Sequence, residues 1–377
     1  MTTPIEAVRL PDPYGYYATL VTERPLAFDE AVGAWVACDA AAVRAALASG
    51  ALRVRPAVEP VPAGIAGTPA GDVFGDLVRM TDGELQRRLK AVVVDALGYV
   101  DPARVAGLAA KRTRDVLAAG SRPPFEELMS GVPVRVVAAL CGLDQGADAE
   151  ATRFIGDFVQ CIPASATPEQ QKTAALAAGR LQELLGPGIE QGEGGTGLLA
   201  DLVRAAHRAS WSRTAPLLAN AVGFLSQTYD ATAGLIGNTL VALARGAQVP
   251  ADPADAETFV REVVRHDAPI QNTRRFAAEP FRHGEAEIAP GEHVLVVLAA
   301  ANRDPAANPD PHAFRPGRMD PAVFTFSAAA HRCPGETLAV TMAVAVVREL
   351  LAAGFDPAEL PTEVTYRPLA NARIPVL

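Results

Sequence analysis

Cysteine is scarce in this chain of 377 residues, and Cys38, Cys141, Cys161 and Cys333 stand far apart with no CxxC pair among them. That spacing excludes a disulfide framework and a cysteine-built zinc site. Aromatic residues are few, at 6%. The glycines and prolines follow no collagen-like or low-complexity period, and no repeat of 20–50 residues is visible. A basic excess is missing too. Lys+Arg 34 against Asp+Glu 43 gives a formal charge of −9, which argues against nucleic acid or an anionic membrane as a main partner. The opening MTTPIEAVRLPDPYGYY lacks the basic stretch and apolar run of a signal peptide, so a cytoplasmic, soluble protein is expected. With 49% hydrophobic residues the chain is far too apolar for disorder.

What is present is helical periodicity over most of the length. It predicts helices at about 14–23, 39–48, 81–97, 101–119, 124–143, 149–162, 167–187, 196–208, 213–246, 253–267 and 335–354. Strand-like pieces are few. Pro25–Phe28 with Ala34–Val36 reads as one hairpin. Phe276–Ala278, Ala286–Ile288 and His293–Val297 read as a second sheet turning at Pro290-Gly291, and Glu363–Leu377 as edge strands. The stretch 186–197 reads as a surface loop. No linker divides the chain, so one mainly helical domain over 1–377 is expected. The segment 215–244 carries one formal charge, Asp230, and would span about 45 Å as a helix. Its interior Ser226–Thr232 places polar groups where a membrane centre would be, so a helix buried in a globular domain is the better reading.

Four segments carry chemistry. Cys333 follows a small-residue loop, Phe324–Arg332, and precedes Pro-Gly and a helix; the helix dipole and free N–H groups there favour a thiolate, a nucleophile or metal ligand. The other three cysteines read as small buried hydrophobes. Glu262 and Arg265 share a helix face at i, i+3. Gln271–Arg275 is a basic segment entering a strand. Gln227–Thr232 interrupts the long apolar helix.

Taken in this order, the segments resemble the bacterial cytochrome P450 family along nearly the whole chain. The family's F-G-x-G-x-H-x-C-x-G appears as Phe326-Ser-Ala-Ala-Ala-His331-Arg-Cys333-Pro-Gly335, and its E-x-x-R as Glu262 and Arg265. Ala300–Arg318 is similar to the family's meander, and Asp12–Tyr17 to its N-terminal helix start. The resemblance implies a single-domain, mainly α fold with small sheets and a long central helix, about 213–246, over the haem. It implies haem b, with Cys333 as axial iron ligand and Phe326 in the same loop. The haem propionates would be held by Arg275 and His331, with Gln86 and Lys90 where the family usually has His and Arg. Glu262–Arg265 would be a buried structural pair.

Three departures matter. Ser327 and Ala329 replace the two glycines of the cysteine loop, where a Cβ resists the backbone angles glycine permits. Val340 stands where an Arg is usual. In the oxygen-activating motif of the long helix, Asp230 keeps the acid, but Ala231 replaces the usual Thr and Gln227 and Thr228 replace two small residues; Thr232 lies about 100° further round the helix. The expected activity is a monooxygenase using O2 and electrons from a ferredoxin-type partner on a small or medium organic substrate, within secondary metabolism. Asp230, Thr232, Gln227 and Thr228 are the candidates for proton delivery or substrate contact. The incomplete motif keeps two alternatives open: non-hydroxylating haem chemistry (peroxide-driven oxidation, oxidative coupling or rearrangement) and a non-catalytic haem sensor.

Overall fold

A computed structural model describes residues 2–120, 123–248, 252–361 and 363–377. From the N-terminus, α1 (Pro4–Ala7), α2 (Tyr14–Glu23) and α3 (Ala40–Ala48) are followed by α4 (Pro69–Asp76), α5 (Gly83–Gly98), α6 (Pro102–Ala118) and α7 (Val132–Leu140). Then come α8 (Gln145–Val159), α9 (Pro168–Glu190), α10 (Leu198–Arg208), the long α11 (Thr214–Ala244), α12 (Pro253–His266), α13 (Leu298–Asn302) and α14 (Glu336–Ala352). The sequence starts these helices with local chemistry. Asp39 accepts the Ala42 N–H, Asp101 the Ala103 N–H ahead of Pro102, and Thr167 with Gln170 forms a capping box ahead of Pro168. The fold is helix-rich with small sheets, as expected. Among the described residues no helix is long and apolar enough to cross a membrane.

Contacts divide the chain into two compact units, Met1–Pro56 with Ala231–Leu377, and Ala57–Asp230. The first holds the sheets. Strands β1 (Leu26–Asp29), β2 (Ala34–Ala37), β3 (Leu52–Arg53), β4 (Thr273–Ala277), β5 (Phe281–His283), β6 (Ala286–Ile288), β7 (His293–Val296), β8 (Thr365–Tyr366) and β9 (Pro375–Val376) form a five-stranded sheet ordered β1-β2-β7-β4-β3 and two hairpins. Val43, Leu52, Val294, Val296 and Phe324 pack on one side of that sheet, and Tyr17, Val36, Leu295 and Val297 on the other. Strand alternation sends Leu295 and its neighbours to opposite faces. In the second unit α8 packs on α9, α4 on α9, α5 on α10 and α6 on α7, around Phe74, Leu128, Phe158 and Leu181.

Several elements differ from the sequence reading. The two sheets expected from 25–36 and 276–297 are joined, because β2 pairs in parallel with β7 (Val36 opposite Leu295), a contact between distant segments that no local pattern encodes. Ala286–Ile288 leaves that sheet and pairs with Phe281–His283. The C-terminal strands pair with each other rather than adding edges. The loop expected at 186–197 begins later. Pro187 sits inside α9, and the helix continues because the Gln191 N–H donates to the Pro187 carbonyl at 3.0 Å, a bond that needs no N–H from the proline. The helix expected at 124–143 opens with a π-helical turn, Glu127–Gly131. The short helices α1, α4 and α13 span too few turns to give a periodic signal.

Candidate functional site

The Cys333 loop is built turn by turn from Phe324. The Ser327 N–H donates to the Phe324 carbonyl at 2.7 Å, a single 3-10 turn spans Ala329–His331, and the Cys333 N–H donates to the Phe326 carbonyl at 2.8 Å. Gly335 then caps the 17-residue α14. Cys333 is half-buried at the head of that helix, where free N–H groups and the dipole favour a thiolate. The other cysteines are buried, and burial pushes the thiols of Cys38 and Cys141 up to about 12 and that of Cys161 to about 11. They are inert hydrophobes, as expected. Ser327 and Ala329, in place of the glycines, adopt left-handed angles of +60° and +52°. The loop therefore keeps a glycine-type backbone with side chains that resist it, at about 1 kcal/mol or more each. The Ser327 hydroxyl is buried and has no partner.

The loop is fastened to α12 and the meander. Asn302 accepts the Phe324 N–H at 2.6 Å and donates to Thr325 Oγ1 at 2.7 Å, and that hydroxyl donates to the Val264 carbonyl at 2.8 Å. On the same helix Arg265, 0% exposed, donates to both Glu262 oxygens at 2.8 and 2.6 Å and to the carbonyls of Asn302, Pro311 and Ala313. Arg318 Nε and the Arg315 amide also donate to Glu262. Burial pushes the Glu262 carboxyl up, but these donors outweigh it and hold the group below its usual range. The pair is the buried structural network expected of it. Beside it a cleft of about 400 Å³ is lined by Arg261, Glu262, Phe326, Ser327, Arg332 and Glu336, among others, with Arg332 exposed and Glu336 accepting from Arg261 and Arg332 at 3.1 Å each. Val340 is buried in α14, where an apolar side chain is at home.

The other expected site residues divide between the units. Cys333, His331, Phe326, Arg275 and Thr232 belong to the first; Gln86, Lys90, Gln227, Thr228 and Asp230 belong to the second. Arg275 lies on β4 opposite Val294, 3% exposed, its guanidinium donating to the Arg274 carbonyl at 2.8 Å and to Thr273 Oγ1 at 3.3 Å. Gln86 is buried and Lys90 half-buried, one turn apart on α5. On α11 the run 227–231 is half-buried while 232–241 is buried throughout. The helix is α-helical without a bulge from Thr214 to Ala244, so Thr232 stays about 100° from the Ala231 direction. Gln227 Nε2 donates to the Gly223 carbonyl at 3.1 Å and Thr228 Oγ1 to the Phe224 carbonyl at 2.8 Å. The Thr228 hydroxyl proton and one Gln227 N–H are thus turned onto their own helix, leaving both oxygens as acceptors and the second Gln227 N–H as a donor. The Tyr229 hydroxyl sits against Gly156 of α8, where a Cβ would lie 3.2 Å from it.

Sequence reasoning missed Arg79, a half-buried cation ahead of α5 that interacts electrostatically with Asp230. Its signal was available: a lone charge between Val78 and Met80. It also missed the buried set in which Arg373 donates to Asp267 at 2.8 Å and to the carbonyls of Val8, Leu10 and Pro11, with the Tyr14 hydroxyl on Asp267 at 2.9 Å. Among the described residues no cluster of His, Cys, Asp and Glu is placed to hold a metal ion by itself.

Residues 256–353 match the family model Cytochrome P450. The chain is 31% identical to 6-deoxyerythronolide B hydroxylase of Saccharopolyspora erythraea over 55% of this chain and 52% of that protein. It is 32% identical to cytochrome P450 monooxygenase PikC of Streptomyces venezuelae over 60% of this chain and 55% of that one. The match thus spans about half the length of these curated relatives. Two solved structures share the fold, each with a TM-score of 0.84: CalO2, 23% identical over 99% of this chain and 96% of that one, and epothilone B-bound cytochrome P450epoK, 20% identical over 100% and 98%. The family match lies on the segment that holds the Glu262–Arg265 network, the meander and the Cys333 loop, and with these relatives it supports a bacterial cytochrome P450.

Proposed function

We propose that residues 1–377 act as one cytochrome P450 domain, a cytoplasmic haem-thiolate monooxygenase that oxidises a small or medium organic substrate with O2 and electrons from a ferredoxin-type donor. The observation that carries this reading is the Cys333 loop: a half-buried cysteine at the head of a long helix, on a backbone that keeps glycine-type angles even without glycine. The hydroxylase and the monooxygenase among the relatives support it. The family implies haem iron, and the donor set fits it: one thiolate candidate at a helix head, and a buried guanidinium, Arg275, suited to a propionate. When bound, haem b supplies oxygen activation at a thiolate-ligated iron.

The chain's own residues divide the remaining work. Cys333 Sγ binds the iron, and Phe326 holds the Cys333 amide through its carbonyl. Arg275, His331, Gln86 and Lys90 donate to the propionates. Asp230 passes protons, with the Gln227 and Thr228 oxygens accepting from an ordered water or from the substrate, and the buried Thr232 sits behind them. The exposed Arg332 beside the loop suits an acidic electron donor.

A second reading, non-hydroxylating haem chemistry, is favoured by one observation: the helix runs unbroken past Ala231, so Thr232 does not take the missing hydroxyl's place. Two measurements decide. Reduced protein should give the thiolate-type CO spectrum, lost in Cys333→Ser. Isotope-labelled O2 should appear in the product; turnover without label favours the second reading.

A further inference from the structure

We propose that the substrate carries a carboxylate, anchored by the guanidinium of Arg79; this rests on the oxidoreductase reading above. Arg79 belongs to the short 3-10 turn Val78–Met80, and that turn is fastened to α11. Asn220 Oδ1 accepts the Val78 N–H at 3.0 Å, Asn220 Nδ2 donates to the Asp76 carbonyl at 2.9 Å, and Leu77 packs so closely on Gly223 that a Cβ there would lie 2.8 Å from it. Arg79 therefore leaves a fixed backbone beside the half-buried part of α11 that carries Gln227 and Asp230.

Its guanidinium makes no hydrogen bond and no ion pair within 4 Å among the described residues, and Nε is shielded from solvent with no partner. Asp230 acts on it only electrostatically, and burial pushes its pKa below the usual arginine value. Other arginines of the same unit are paired: Arg112 with Asp148, Arg135 with Glu127 at 2.9 Å and Arg213 with Asp76 at 3.6 Å. Arg79 is half-buried, and a shielded donor such as its Nε left unused is disfavoured and rare in native structures. The acceptor that matches its planar fork is a carboxylate. A haem propionate has the same chemistry, but Arg275, His331, Gln86 and Lys90 already serve that role in the reading above, and among the described residues the counter-charge acting on Arg79 is Asp230 of α11.

The test titrates haem-loaded protein, Arg79→Gln and Arg79→Lys with octanoic, phenylacetic and indole-3-acetic acids, each beside its methyl ester, by absorbance shift and by calorimetry. At least one acid should bind about tenfold or more tighter than its ester in the parent chain, the scale of a charge-assisted hydrogen bond. The preference should vanish in Arg79→Gln, persist in weakened form in Arg79→Lys, and leave haem retention unchanged. Because Arg79→Gln removes a half-buried charge whose shielded Nε has no partner, its thermal midpoint should equal or exceed the parent's; a lower one would assign Arg79 a structural role and count against the anchor. Equal affinity for every acid and ester, no binding of any acid, or an acid preference retained in Arg79→Gln overturns the proposal. Faster haem loss in Arg79→Gln overturns it too, by assigning the guanidinium to a propionate. Failure of the oxidoreductase reading shows separately, as a parent chain without the thiolate-type CO spectrum.

Discussion

Replacing Ser327 by glycine should stabilise this protein, against the usual direction of glycine substitutions. Ser327 sits at φ +60° with its hydroxyl buried and unpartnered. The left-handed angle costs a residue with a Cβ about 1 kcal/mol, and a buried hydroxyl without a hydrogen bond costs about 1–2 kcal/mol more. Glycine removes both but widens the unfolded ensemble, which costs about 0.4–1 kcal/mol. The net expectation is a gain of about 1–2 kcal/mol, or roughly 1–3 °C in thermal midpoint for a chain of this size. Ala328 provides the control. One residue along, it is extended at φ −146°, where glycine offers no relief, so Ala328→Gly should lower the midpoint. Ala329→Gly, at φ +52°, should follow Ser327→Gly with a smaller gain, because it has no hydroxyl to release. The assay is thermal unfolding followed by circular dichroism on the three variants side by side. If Ser327→Gly and Ala329→Gly fall together with Ala328→Gly, the loop does not hold the strained backbone described here and the reasoning is wrong.

Other outcomes follow from the same geometry. Cys333→Ser should remove the thiolate-type CO spectrum while far-UV circular dichroism stays helical; a retained spectrum would reassign the ligand. Arg275→Ala would leave a partly buried propionate unpaired, on the order of 2–4 kcal/mol, and haem transfer to apomyoglobin should accelerate; unchanged transfer removes Arg275 from the propionate set. Glu262→Gln leaves Arg265 buried without a counter-ion, about 3–5 kcal/mol by urea unfolding. Because the Glu262 carboxyl is held below its ordinary 4.5, its contribution is complete above that value and is lost as pH falls through the lower folded value. Parent and Glu262→Gln stabilities should therefore converge in acid; a constant gap contradicts the assignment. Asp230→Asn should slow turnover and raise peroxide release, whereas Thr232→Ala, buried on an unbroken helix, should change coupling little. Equal uncoupling in both would place Thr232 in the proton route.

Local information carried far in this chain. Apolar periodicity located the longer helices within a few residues, because a helix is closed by contacts within four positions, and caps such as Asp39, Asp101 and Thr167 stand at their starts. The order of the Glu262–Arg265 pair, the meander and the Cys333 loop was legible for the same reason: each is a contiguous segment whose residue types carry its chemistry. Pairing between distant segments was not legible. The parallel match of β2 with β7 depends on which strands the folded core brings side by side, and strand propensity is indifferent to the partner's place in the chain. The donors of Gln227 and Thr228 look available in the sequence, yet the helix takes the Thr228 hydroxyl proton and one Gln227 N–H for its own carbonyls. Ser327 and Ala329 read as departures from a glycine pattern; only the closed loop, held by Asn302, Thr325 and the Phe326–Cys333 bond, forces left-handed angles on them. Arg79 reads as one charge in an apolar stretch. Its half-buried place beside α11 shields Nε without giving it a hydrogen-bond partner, since desolvation is a property of the surroundings and not of the residue.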